Sequence, residues 1–247
     1  MKNNIFLLIA ASIFILSFSS CDDLLDVTPK DKITPETFFS TESDLQAFST
    51  NFYNSLPKDR DLYKDDADNI THSTPNSAAT DSRTVPASGG GWEWGYLRRF
   101  NTLLQYSVNC KDKTVRTRYQ ALTRFFRAYF YFEMVKRFED VPWYDTELFV
   151  SETDQLNKPR DSRELVMKNI LEDLDFAITN LSTTPSVYTV TKWTALSLKS
   201  RVCLFEGTFR KYHNLNLSTN ADFFLQESIT ASRELMKESN YTLYTEG

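Results

Sequence analysis

The chain has 247 residues, with 33 acidic against 28 basic side chains, a formal charge of -5 and 14% aromatic residues. That length allows one large domain or two small ones, and the aromatic content can fill a sizeable core. An acidic balance with no basic run removes the electrostatic basis for binding nucleic acid, and equally for polybasic attachment to anionic lipid.

The chain opens on Lys2 and an apolar run from Ile5 to Phe18, too short to span a bilayer and of signal-peptide length. It closes on Leu16-Ser17-Phe18-Ser19-Ser20-Cys21, followed by Asp22-Asp23. Small residues before a single cysteine make a bacterial lipoprotein cleavage site. Residues 1–20 therefore read as a signal peptide and Cys21 as the lipidated first residue, anchored by several acyl chains where one would bind only marginally. An ordinary secretory signal with an incidental cysteine, or a short N-terminal membrane helix, is the competing reading. Residues 21–40 read as a tether that then packs on the body.

Helical patterning begins with a capping box at Thr41 and Asp44, leading through Leu45, Phe48, Phe52 and Leu56. Residues 57–91 are a polar loop holding Pro57, Pro75, Pro86 and Gly89-Gly90-Gly91, long enough to suggest function or disorder. Helical spacing then returns over Trp94–Val108 and over Thr114–Phe138. The second is apolar over so wide an arc that it must be buried between other helices. Pro142 stops its continuation. A capping box at Asp161 and Glu164 opens a helix through Leu181, Thr191 caps another through Phe205, and the last runs from about Asp222 to Glu238.

These starts recur at about thirty residues, with Ala177, Ala195 and Ala231 offering small contacts. The expectation is an all-α domain over 41–247, built of tetratricopeptide-like helix pairs. Tyr241–Gly247 reads as a short strand-like piece, which leaves the last helix unpaired. An incomplete chain is the expectation that follows, with an exposed apolar face on residues 222–239.

The ordered motifs resemble the SusD/RagB family, surface lipoproteins that capture nutrients for an outer-membrane transporter. They begin with the lipoprotein cysteine, Pro29, and Ile33-Thr34-Pro35-Glu36-Thr37-Phe38-Phe39 with Asp44 and Tyr53. Trp94, Arg98 and Asn101-Thr102-Leu103-Leu104 continue them. The most specific stretch is Arg124–Tyr131, running into Arg137-Phe138-Glu139-Asp140-Val141-Pro142, with Glu139 where the family usually has glycine. Pro159-Arg160, Ile170–Leu174 with Ala177, and Ala195–Glu206 complete the set. The resemblance implies a helical body supporting a loop-rich face that holds an oligosaccharide or peptide. It also implies an outer-membrane, surface-exposed position as a lid over a SusC-like TonB-dependent barrel. Family chains are considerably longer, so this one resembles an N-terminal half.

Enzyme signatures are missing: there is no GxSxG, GxxxxGK or GxGxxG, and the two histidines, His72 and His213, stand far apart. They read as surface or capping groups rather than metal ligands, and no cofactor is implied. The aspartates at 59, 61, 65, 66 and 68 read as a solvated loop, since a glycosidase needs two placed carboxylates with one pKa raised by burial. Cys110 and Cys203 could pair, but buried free thiols fit better, because Cys203 lies in an apolar helical pattern. Sugar recognition needs flat aromatics against C–H faces and polar groups for hydroxyls. Trp92 is the stacking candidate, with Trp94 beside it and Asp81 and Arg83 upstream; Trp143 is a weaker one. For Trp92, covering the helix start is an equal alternative, and for Trp94 core packing is favoured. The functional expectation is a nutrient-binding lipoprotein. Its alternatives are a helical-repeat scaffold for a protein partner and, more remotely, a membrane-anchored hydrolase.

Overall fold

The computed structural model describes residues 35–58, 80–239, 241, 242 and 245. The leader, Cys21, most of the tether, His72 and the aspartate run lie outside the described residues. Helix is the only extended regular structure among the described residues, with a single antiparallel bridge between Val141 and Asp161. The elements are α1 (Pro35–Phe38), α2 (Glu42–Thr50), α3 (Gly95–Tyr106), α4 (Lys113–Phe138), α5 (Thr153–Leu156), α6 (Arg163–Asn180), α7 (Lys192–Tyr212) and α8 (Ala221–Glu238). Among the described residues no helix is long and apolar enough to cross a membrane.

Local chemistry sets the helix boundaries. The Thr41 box forms as expected: Asp44 N–H donates to Thr41 Oγ1 at 3.2 Å, and Thr41 N–H to Asp44 Oδ2 at 2.8 Å. α2 is shorter than its apolar pattern. Ser49 and Thr50 hydroxyls donate back to the Gln46 carbonyl, and the chain tightens into a 3₁₀ turn over Asn51–Ser55. Asp112 caps α4 by accepting from the Thr114 and Val115 N–H groups.

The expected Asp161–Glu164 box does not form. Ser162 is the cap, accepting from Leu165 N–H, because both carboxylates have tertiary partners. Asp161 accepts from Trp143 N–H and Lys158, and Glu164 from Thr219 N–H and Arg210. At α7, Thr191 is the cap, and its N–H donates to Thr194 Oγ1. Tyr241, Thr242 and Thr245 carry no regular structure. The rest of the expected strand-like piece lies outside the described residues.

Helices pack in chain order: α3 on α4, α4 on α6, α6 on α7 and α7 on α8. The last three start at Arg163, Lys192 and Ala221, the thirty-residue period expected of stacked pairs. Ala177, Ala195 and Ala231 are all buried at contacts. At Gly207 the approach of α8 is closer still, since a Cβ there would stand 2.8 Å from the Leu225 side chain. α8 buries Phe224, Ser228 and Ala231 and leaves Phe223, Ile229 and Met236 exposed.

The α4 stripe is core, as its pattern requires. Phe52, Phe100 and Phe126 meet at ring distances of 4.8–6.1 Å, edge-on or offset as aromatic quadrupoles prefer. Cys110 and Cys203 are buried free thiols, and burial pushes the Cys203 pKa up to about 12. His213 follows α7 with its ring 4.4 Å from Phe209, a capping position.

Two ionic assemblies are buried in this core. Arg127 on α4 grips Asp173 on α6 through both carboxylate oxygens, at 2.7 and 2.8 Å. Glu206 on α7, fully buried, accepts from Arg163 and Arg210, and so joins α6 to α7. Removing one member of such a pair strands a charge in low dielectric, whereas removing both does not. Arg127→Met is therefore expected to cost about 3–5 kcal/mol in urea unfolding. Adding Asp173→Leu should recover most of that loss. Equal losses in the single and double variants would show that the pair is solvated.

Candidate functional site

A cleft of about 580 Å³ opens between the start of α3 and the segment that links α4 to α6. One wall begins at the triglycine. Gly89, Gly90 and Gly91 have φ of 74, 67 and 84°, three consecutive left-handed residues that only glycine adopts without strain. The turn closes with Trp92 N–H donating to the Gly89 carbonyl and brings Trp92 to the surface, 37% exposed. Its indole meets Trp94 and Phe138 edge-on at 5.1 and 4.9 Å, and the Arg160 guanidinium stands 5.0 Å from the ring centre. Trp94 is half-buried at the start of α3, against Phe130, Tyr131 and Tyr144.

The opposite wall is the segment 140–161, closed at its base by the Val141–Asp161 bridge. This segment is irregular yet closely bonded. Asn101, on α3, donates from Nδ2 to the Tyr144 and Thr146 carbonyls, both at 2.9 Å. The Asn101 side-chain oxygen accepts from Arg127 at 3.2 Å. The buried Tyr131 hydroxyl accepts from Tyr144 N–H at 2.6 Å, and burial holds its pKa well above the usual phenol range. Lys158 donates to the Trp143 carbonyl and to Asp161. Burial alone would raise the Asp161 pKa, but the Lys158 and Trp143 hydrogen bonds outweigh it and hold the carboxyl below its ordinary value. Leu148, Phe149, Val150 and Leu156 supply an apolar lining, and Arg98 pairs with Glu147 at 3.1 Å.

Trp92 and Trp94 share this cleft, but Asp81 and Arg83 do not line it. Arg83 borders a separate depression with Gly91, Glu133, Met134, Lys136 and Arg137, and Asp81 is exposed at φ 55°. Trp143 is packed, stacked on Tyr131 at 4.1 Å with Arg127 over its ring. Arg98, Asn101, Tyr144, Lys158 and Arg160 line the cleft although their residue types alone did not single them out. The available signal was the Pro142–Pro159 stretch, aromatic and proline-bounded between two strong helices. Among the described residues no group of His, Cys, Asp and Glu side chains is placed to hold a metal.

Helices packed in chain order that carry a loop-built aromatic cleft define an all-helical fold with one irregular wall. Residues 23–204 match the SusD-like family model described as "Starch-binding associating with outer membrane", and the chain belongs to that family. SusD-like protein P38 of Formosa agariphila is 26% identical over 232 residues, covering 89% of this chain and 46% of that protein. A crystal structure of a SusD-like protein from Bacteroides fragilis aligns with a TM-score of 0.60 at 23% identity, over 87% of this chain and 42% of that one. A laminarin binding SusD-like protein aligns at 0.50 and 23% identity, over 61% and 31% of the two chains. The chain thus spans about half the length of the curated relatives it matches.

The turn leading into the cleft wall holds Glu139 at φ 66° and ψ -103°, exposed, ending α4 with its N–H donated to the Val135 carbonyl. A glutamate therefore holds a positive-φ position at the place where the resemblance leads one to expect glycine. Holding an L-residue there costs about 1–3 kcal/mol. Glu139→Gly should raise the unfolding free energy by about 1 kcal/mol without altering the cleft. A thermal melt that fell instead would show that the glutamate side chain outweighs the strain.

Proposed function

We propose that this chain is the glycan-holding part of a lipoprotein, anchored through Cys21 on the outer face of the outer membrane. It would present its ligand to a SusC-like TonB-dependent barrel. The observation that carries this reading is the cleft at Trp92, where an exposed indole stands at the mouth of an aromatic and aliphatic pocket edged with N–H and O–H donors. A pyranose ring needs that combination, an apolar surface for its C–H face and directional groups for its hydroxyls. The family description and the laminarin named for one structural neighbour support a glycan. An oligopeptide is the other ligand the resemblance allows. Asp81 and Arg83 would meet only a ligand long enough to leave the cleft along the triglycine turn.

Stacking on an exposed aromatic is worth about 1–3 kcal/mol for a nucleobase, and a sugar face gives a similar or smaller gain. Trp92→Ala is expected to weaken oligosaccharide binding roughly tenfold, about 1.4 kcal/mol, in calorimetry with starch- and laminarin-derived oligosaccharides. Its melting temperature should shift only modestly. Trp94→Ala should instead lose about 3–5 kcal/mol of stability through lost packing. Unchanged affinity in Trp92→Ala, for a glycan the wild type binds, would remove the cleft from the binding reaction.

Export is tested separately. Cys21→Ala should abolish labelling by a palmitate analogue in cells, and protease added to intact cells should reach the wild-type protein. Persistent labelling of the variant would place the anchor elsewhere.

A further inference from the structure

Resting on that reading, we propose that the glycan held in the cleft is acidic, with a carboxylate or sulfate bound by Arg160 beside Trp92. Among the described residues three cations line the cleft, Arg98, Lys158 and Arg160, and no carboxylate does. Arg98 is neutralised by Glu147 at 3.1 Å and Lys158 by Asp161 at 2.8 Å. Arg160 differs. Among the described residues it has no carboxylate within ion-pair distance, and its one protein hydrogen bond runs from Nη1 to the Phe138 carbonyl at 3.2 Å. A guanidinium has five N–H donors, so most of this exposed group's capacity faces the cleft mouth and solvent.

The surroundings reinforce the charge. Across the triglycine turn, Arg83, Lys136 and Arg137 line the neighbouring depression, and among the described residues only Lys136 of these has an acidic partner, Glu133 at 2.7 Å. The Arg137 guanidinium lies so close to the backbone that a Cβ on Gly91 would stand 3.0 Å from it. Two guanidinium groups with no carboxylate partner among the described residues, Arg137 at Gly91 and Arg160 at Trp92, therefore flank this turn, in a chain whose net charge is -5. A neutral glucan offers hydroxyls alone and nothing to balance that charge. Carboxylate and sulfate offer paired anionic oxygens that match the planar fork of arginine. The indole beneath Arg160 holds the fork in place by cation–π contact while the sugar ring packs against the aromatic mouth.

The test is calorimetry on the full mature chain with three probes of matched length: laminari-oligosaccharides, oligouronates and sulfated oligosaccharides, each at low and high salt. The wild type should bind at least one acidic probe ten times more tightly than the neutral one. That preference should shrink as salt screens it, and whichever acidic probe binds tells carboxylate from sulfate. Arg160→Gln should remove the preference. Arg160→Lys should keep part of it, and thermal melts of both variants should stay near wild type. Neutral binding that depends on Trp92 but not on Arg160 overturns this inference and leaves the glycan-binding reading intact. A wild-type preference for acidic probes that survives Arg160→Gln in a folded variant, or one insensitive to salt, overturns the assignment to Arg160. Binding of no glycan of either kind overturns both.

Discussion

The buried pair of Arg127 and Asp173 is the constraint on which the rest of the described structure turns. Both charges lie away from water, so each must find a partner with good geometry or be expelled. Arg127 satisfies Asp173 with two N–H groups, which sets α4 against α6 at one register. Its remaining Nη1 reaches Asn101, which aligns α3 with the same pair. Asn101 then has its two amide hydrogens for the Tyr144 and Thr146 carbonyls. A single guanidinium thus links three helices to the wall of the cleft.

That linkage explains how an irregular segment forms one wall of a defined cleft. Residues 140–161 have no helix or sheet ladder beyond the short α5 and the Val141–Asp161 bridge, so backbone groups on their buried side turn to side chains. Asn101, Tyr131, Lys158 and Asp161 meet them. Loops positioned by a rigid scaffold are where binding residues collect, and this one sets Tyr144 opposite the tryptophans. The second buried assembly, around Glu206, does the corresponding work at the start of α6. It tethers Thr219, just ahead of α8, through Arg210 and Glu164.

Much of the fold was legible in the residues themselves. The wide apolar arc of 114–138 could be buried only between helices, and Phe126 and Phe132 are. The thirty-residue recurrence matched the starts of α6, α7 and α8, since a helix pair that stacks on its neighbour repeats with the same length of chain. Capping was read well where it was local, at Thr41 and Asp44. It was misread at Asp161 and Glu164, whose carboxylates go to Lys158 and Arg210. For Trp92 the triglycine ahead of it left exposure and a cover over the helix start as equal readings, and its 37% exposure is a finding of the structure. The separation of Arg83 from the cleft was not visible, because the turn between them sends neighbouring residues to different sides.

From the sequence alone came the all-helical class, the period of its pairs and the family resemblance. Each rests on interactions that repeat along the chain at short range, where spacing maps directly onto geometry. The cleft itself was decided by tertiary structure. Arg98, Tyr144, Lys158 and Arg160 come together through bonds between distant residues, Asn101 to Tyr144, Arg98 to Glu147 and Arg160 to Phe138 among them. A hydrogen bond between residues more than forty apart, such as Asn101 to Tyr144, leaves no periodic trace by which either partner could be found.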